Sequence, residues 1–190
     1  MGRAKIMILA GGTGGHVIPG LTIAKALEDA KCDITWIGTK GGIEEKLVPK
    51  ANIKIEYITV MGLRGKSFMN VLISVKQLIQ SIFQSINILM KYRPDVVIGM
   101  GGYVSGPGGI AAFLLRYPLV IHEQNSVPGT TNKFLARIAS SVLEAFPGSF
   151  RSKMNAKTIG NPIRQEIALI EDPKKRLQDR NFPIRILVLG

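Results

Sequence analysis

Soft metal ligands are scarce in this chain of 190 residues: one cysteine, Cys32, and two histidines, His16 and His122. A single cysteine excludes a disulfide framework and fits a reducing compartment. Three such ligands leave no basis for a structural zinc site, so no metal is expected. Acidic side chains are also few, 13 against 25 lysines and arginines, which sets the formal charge at +12. Charge of that sign attracts nucleic acid, anionic lipid and phosphorylated small molecules alike. Nucleic acid is the weakest of the three, because aromatics make up only 6% of the chain and the basic residues follow no recognition motif. A targeting signal is missing too: Met1 to Lys5 leads straight into a strand-like stretch with no apolar h-region. The longest weakly charged stretch, Val96 to Ile121, is broken by Gly99, Gly101, Gly102, Gly106, Pro107, Gly108 and Gly109, which suits loops rather than a membrane span. A cytoplasmic protein is the expectation.

What the chain does have is a hydrophobic fraction of 46%, ample for a core. Its strand-like runs alternate with helical patterns, which predicts an α/β fold: a Rossmann-like, open, mainly parallel sheet with helices on both faces. Strands are expected at Ile6–Ala10, Ile34–Gly38, Ile53–Thr59, Asp95–Gly99, Leu119–His122, Val142–Phe146 and Lys157–Ile159. Helices are expected at Gly15–Ala30, around Ile43–Val48, at Ser67–Tyr92, before Leu115, and from Gly129 to Ile138. Asn161-Pro162 marks a boundary between residues 1–162 and 163–190. The second part reads as a short helix, a charged stretch (Pro173 to Arg180) and a strand, Ile184–Gly190, that would open a further domain.

Gly11-Gly12-Thr13-Gly14-Gly15-His16 stands directly after the first strand and before the first helix. Ligands of open α/β sheets bind at the carboxyl ends of strands. Glycines there let the backbone approach a phosphate, and the helix N-terminus adds free N–H groups. A second glycine-rich stretch, Gly99 to Gly109, follows the fourth strand, so two junctions could grip one diphosphate. The dinucleotide fingerprint fails, since Val17 stands where glycine is needed and Ile37-Gly38-Thr39 offers no acid for a ribose. An NAD-dependent oxidoreductase is therefore disfavoured, and no cofactor is expected. His16 is a candidate base, because a helix N-terminus keeps imidazole neutral. His122 and Glu123 end the fifth strand, where either could act in catalysis or merely orient a loop.

Along the long helix, Phe68, Leu72, Val75, Ile79, Ile82, Ile86 and Leu89 repeat at helical spacing and read as the core face. Val71, Leu78, Phe83 and Met90 fall off that line. Between Glu56 and Asp95 no acid occurs, whereas Arg64, Lys66, Lys76, Lys91 and Arg93 are basic. Val71, Leu78, Phe83 and Lys76 are therefore candidates for contact with an anionic membrane surface.

Five segments in order, Gly11–His16, Gly62-Leu63-Arg64-Gly65-Lys66, Gly99–Gly109, His122–Asn125 and Gly160-Asn161-Pro162-Ile163-Arg164, resemble glycosyltransferase family 28. Within it the resemblance is to the bacterial transferases that add N-acetylglucosamine to the lipid-linked muramyl-pentapeptide precursor of peptidoglycan. It implies the N-terminal, acceptor-binding half of a GT-B architecture, peripheral on the cytoplasmic face of the inner membrane. The implied substrates are UDP-N-acetylglucosamine and an undecaprenyl-diphosphate-linked muramyl-pentapeptide, without metal or cofactor. Positions matching the family's donor contacts are Thr13, Gly14, Gly15, Asn125 and Arg164. Gly12, Gly102, Tyr103, Ser105 and Gly106 match the acceptor-diphosphate region, and His16 matches a position important for catalysis; Glu123 is a second catalytic candidate from its place at the strand end alone. The family continues past Gly190 into a donor-binding domain, so the chain alone is expected to be inactive. A non-catalytic lipid-diphosphate-binding module and one subunit of a split transferase are the alternatives.

Overall fold

The structure, a computed structural model, describes residues 2–60, 68–176 and 186; for 68–73 and 176 it describes the backbone alone. The chain alternates strand and helix: β1 (Lys5–Leu9), α1 (Gly14–Asp29), β2 (Asp33–Gly38), α2 (Glu44–Lys50), β3 (Lys54–Tyr57), α3 (Phe68–Tyr92), β4 (Val96–Gly99), α4 (Gly102–Leu114), β5 (Leu119–Glu123), α5 (Thr130–Leu135) and β6 (Ser141–Glu144). A 3-10 turn (Ser152–Met154), β7 (Lys157–Thr158) and two short helices, α6 (Gln165–Ala168) and α7 (Pro173–Arg176), follow. The strands form one parallel sheet in the order β3-β2-β1-β4-β5-β6-β7. The expected open α/β fold is what forms. The expected strand Ile184–Gly190 and the Gly62–Lys66 motif lie outside the described residues, Ile186 excepted.

Because side chains alternate across a strand, β1 feeds two cores. Met7 and Leu9 join Val97, Val104, Ile121 and Leu135 beneath α3, α4 and α5. Ile6 and Ile8 join Trp36, Val17 and Ile53 beneath α1 and α2. The buried indole of Trp36 donates to the Ala10 carbonyl at 2.8 Å, so its N–H is satisfied where β1 ends. Gly20 lets α1 close on it: a Cβ there would lie 2.7 Å from the indole ring. On the other face Gly108 and Gly109 do the same for α4, against Leu9 at 2.8 Å and Leu135 at 2.7 Å. The later glycines of the Gly99–Gly109 stretch thus seat a helix on the sheet.

The long helix departs from expectation. Val75 and Ile79, assigned by periodicity to the core face, are 48% and 50% exposed, while Ser81, Ser85, Ile88 and Leu89 are buried. A helix of 25 residues runs about 37 Å, whereas β4 beneath it has 4 residues, roughly 13 Å. Its last turns therefore meet the sheet and α4, and Val75, Leu78 and Ile79 before them lie exposed. Small serines let α3 approach α4, and their hydroxyls are satisfied by the Leu78 and Ser81 carbonyls at 2.8 Å each. No helix among the described residues is long and apolar enough to cross a membrane.

Candidate functional site

β1 and β4 are neighbours, yet the chain leaves them toward opposite edges of the sheet, so a crevice opens at their carboxyl ends. A cavity of about 330 Å³ occupies it, lined by the β1–α1 turn (Gly11 to Thr13, and His16), the β4–α4 turn (Gly101 to Tyr103) and, from the β5–α5 segment, Glu123, Asn125 and Gly129 to Asn132. Both α1 and α4 open on this cavity without a side-chain cap and without an acid in the first turn. First-turn N–H groups have no partner inside a helix, so Gly102 and Tyr103 bring free donors to the cavity, and those of Gly14 and Gly15 lie between Thr13 and His16, which line it.

Two glycine turns can meet there only because they are glycine. Gly101 (φ +100°) and Gly102 (φ +78°) hold backbone angles that side chains rarely adopt. A Cβ on Gly102 would sit 2.5 Å from the Gly11 carbonyl oxygen, and one on Gly101 would sit 2.9 Å from the His16 ring. The imidazole of His16 therefore lies against the β4–α4 backbone. Its Nδ1 is 3.0 Å from the Thr13 hydroxyl; with Nδ1–H donating to Thr13, the Nε2 lone pair is free to accept a proton. Burial holds the His16 pKa below the ordinary imidazole value, with Glu123 pulling partly the other way. The ring is thus neutral at physiological pH.

Glu123 is 1% exposed and saturated. One carboxylate oxygen accepts from the Asn125 backbone and side-chain nitrogens at 3.0 and 2.9 Å, the other from Gly129 N–H and Asn132 Nδ2 at 3.1 and 2.9 Å. Four donors leave it little capacity to accept a substrate proton; its geometry shapes the β5–α5 turn and presents exposed Asn125. His122 is likewise committed. Gln124 Nε2 donates to its Nδ1 at 3.1 Å, so its Nε2–H goes to the Gly160 carbonyl at 3.0 Å, tying β5 to the segment after β7. Burial lowers the His122 pKa, against the Gly160 bond and Glu123.

Ser105 faces inward, where its hydroxyl meets the Leu9 and Gly101 carbonyls at 2.8 and 2.7 Å and the Gly101 N–H at 3.0 Å. Expected at the acceptor diphosphate, it instead locks the turn to β1. Gly106 faces α5, with Thr131 3.6 Å from a Cβ built on it. Arg164 lies outside the cavity: it precedes α6 and lines a groove against Ile18, Thr22 and Lys25 on the outer face of α1. Tyr103, 62% exposed, stands at the start of α4 beside the cavity.

Two residues escaped the sequence reading. Glu44, fully buried, accepts the Gly12 N–H at 3.0 Å and the Thr39 N–H and hydroxyl at 2.9 and 2.7 Å. Gly12 therefore spends its amide on the protein itself rather than on a ligand, and the remaining amides of the turn are fixed by that anchor. Gly11 and Gly42 crowd the same carboxylate and Gly38 the Glu44 Cγ, each leaving less than 3.0 Å for a Cβ. Asn132, 1% exposed, donates to His122 O and Glu123 while its Oδ1 has no hydrogen-bond partner. Among the described residues no three potential ligands could hold a metal ion.

Parallel strands wound in this order, with glycine junctions meeting at the switch point, define the N-terminal half of a GT-B glycosyltransferase. The profile of the glycosyltransferase family 28 N-terminal domain matches residues 6–144, and the chain belongs to that family. It is 51% identical over 186 residues to the UDP-N-acetylglucosamine--N-acetylmuramyl-(pentapeptide) pyrophosphoryl-undecaprenol N-acetylglucosamine transferase of Vibrio cholerae serotype O1, covering 98% of this chain and 52% of that protein. With the Proteus mirabilis transferase of the same name it shares 48% over 188 residues, 99% of this chain and 51% of that one. Among solved structures, Acinetobacter baumannii MurG superposes with a TM-score of 0.75 at 39% identity, over 86% of this chain and 47% of that one. The UDP-glucose complex of Anabaena HepE shares the fold, with a TM-score of 0.62 at 21% identity over 93% of this chain and 49% of that one. The chain spans about half the length of the curated relatives it matches.

Proposed function

We propose that the full-length protein transfers N-acetylglucosamine from UDP-N-acetylglucosamine to the 4-hydroxyl of an undecaprenyl-diphosphate-linked N-acetylmuramyl-pentapeptide, with inversion, in peptidoglycan synthesis. Residues 1–162 form the acceptor domain, and 163–190 lead into the donor domain. The observation that carries this reading is the meeting of two uncapped helix N-termini and a neutral histidine in one cavity at the switch point. The names of relatives near 50% identity support this choice of sugar and acceptor.

In the reaction the muramyl 4-oxygen forms a bond to the anomeric carbon as the bond from that carbon to UDP breaks, and UDP leaves with the electron pair. His16 Nε2 takes the hydroxyl proton, and Thr13 holds the ring in the accepting tautomer. First-turn amides of Gly14, Gly15, Gly102 and Tyr103 stabilise diphosphate charge. Asn125, held by Glu123, reaches toward the donor sugar, while Arg164 acts at the interdomain side. The exposed apolar turns of α3, with Leu78 43% and Phe83 63% accessible beside exposed Lys76, rest on the anionic cytoplasmic face of the membrane. Val71, assigned to the same patch, lies among the residues whose side chains are not described.

Turnover of UDP-N-acetylglucosamine with a lipid-diphosphate acceptor tests this reading. The 190-residue chain alone is expected to be inactive, and supplying in trans or by fusion the half of its relatives that it does not span is expected to give transfer. Acceptor binding with no transfer by the completed protein would favour a binding module instead.

A further inference from the structure

A second cavity, about 420 Å³, lies on the far side of the Ser126–Gly129 turn, between α5 and the segment joining β6 to β7. Four cations line it, Lys133, Arg137, Arg151 and Lys153, together with the apolar side chains of Val127, Phe150 and Met154, and among the described residues no acid does. None of the four forms an ion pair among the described residues. The nearest carboxylate in sequence, Glu144, is buried and occupied by the Gly148 and Phe150 N–H groups and the Thr158 hydroxyl at 3.0, 3.1 and 3.0 Å. Like charges gathered round an apolar floor repel one another unless an anion joins them, so the lining is complementary to a ligand with separate oxyanions on a partly apolar body.

The same turn separates this cavity from the one that holds His16. Asn125, which lines the first cavity, has its carbonyl 3.1 Å from the hydroxyl of Ser149 in the wall of the second. The two cavities thus share the Asn125–Gly129 segment as a common wall. We propose that the Lys133–Lys153 cavity binds the carboxylates of the acceptor's peptide, an inference that rests on the acceptor assignment above. A pentapeptide joined to the muramyl group by its amino end keeps at least its terminal carboxylate, and its side chains meet Val127, Phe150 and Met154. Cations on four separate side chains, rather than a cradle of backbone amides, suit carboxylates spaced along a chain better than one phosphate.

The test pairs the full-length protein with a Lys133→Ser/Arg151→Ser variant, and an acceptor with free peptide carboxylates with one whose carboxylates are amidated. The KM for the free-acid acceptor is expected to rise about tenfold in the variant, and the KM for the amidated acceptor to stay unchanged. In parallel, an N-acetylated acidic pentapeptide is titrated into the 190-residue chain by NMR. It is expected to shift the Lys133 and Arg151 amides, where its amidated form does not. Equal KM changes for both acceptors overturn the proposal. So does inorganic phosphate shifting the same amides as strongly, or a variant that loses only its sedimentation with phosphatidylglycerol vesicles. If the full-length protein turns over neither acceptor, the transferase reading fails, and the peptide titration still decides what this cavity takes.

Discussion

Replacing Glu44 by Gln changes one atom beneath the glycine turn and has a calculable cost. The native carboxylate accepts three hydrogen bonds: Thr39 N–H and hydroxyl on one oxygen, Gly12 N–H on the other. An amide can keep the Thr39 pair on its carbonyl oxygen, but its NH2 group then faces the Gly12 N–H, donor against donor. One charge-assisted bond, worth about 1.5–3 kcal/mol, is lost, and the Gly12 amide is left without a protein partner. Because that contact is only partly buried, water recovers some of it, and about 1–2 kcal/mol of stability should go. For a chain of 190 residues this corresponds to a fall in Tm of roughly 2–8 °C. Glu44→Ala leaves all three donors unpaired and should cost more, about 2–5 kcal/mol. Urea denaturation of the 190-residue chain measures both. A Glu44→Gln variant within about 0.3 kcal/mol of the parent, with unchanged backbone shifts at Gly12 and Thr13, would refute the anchoring role.

In the full-length protein, His16→Ala should lower kcat by about 10²–10⁴ while the acceptor KM moves little. Because burial depresses the His16 pKa, the acid limb of the rate profile should fall below the ordinary imidazole value of about 6.5 rather than above it; a limb above that value would contradict the assignment. Both histidines have folded-state pKa values below their unfolded values, so below about pH 6.5 the unfolded state binds more protons and stability drops. Denaturation midpoints between pH 7.5 and 5 read this, and His122→Gln should flatten the slope. Leu78→Ser with Phe83→Ser should weaken sedimentation with anionic vesicles yet change folding stability by no more than about 1 kcal/mol, since both side chains already face solvent; unfolding would place them in the core.

The sheet was legible because a buried parallel strand announces itself as an apolar run, as in Ile6–Ala10, and glycine clusters punctuate the strand ends. His16 was legible for the same reason: it opens a helix directly after such a cluster. Glu44 was not. Within Ile43-Glu44-Glu45-Lys46 it reads as one more surface charge, and its partners Gly12 and Thr39 come from two other turns. Gly38, Gly41 and Gly42 just before it were the available signal, since Gly38 and Gly42 leave the room that the Glu44 side chain fills. For His122 and Ser105 the residue type was read and the direction was not. One reaches Gly160, 38 residues away, and the other turns inward to Leu9, contacts that no local pattern encodes. The apolar line on α3 was read correctly as a periodicity. Which part of it is covered depends on how short the strands beneath it are, and that is a property of the whole sheet.

Amides at the β1–α1 and β4–α4 junctions are expected to grip a diphosphate beside His16. Titrating the isotopically labelled chain with a short-chain, water-soluble prenyl diphosphate tests it most directly. Saturable shifts at Gly14, Gly15, Gly102 and Tyr103, with the His16 ring resonances moving in step, are the predicted result. Shifts confined to Lys133 and Arg151, or none at millimolar ligand, would contradict it.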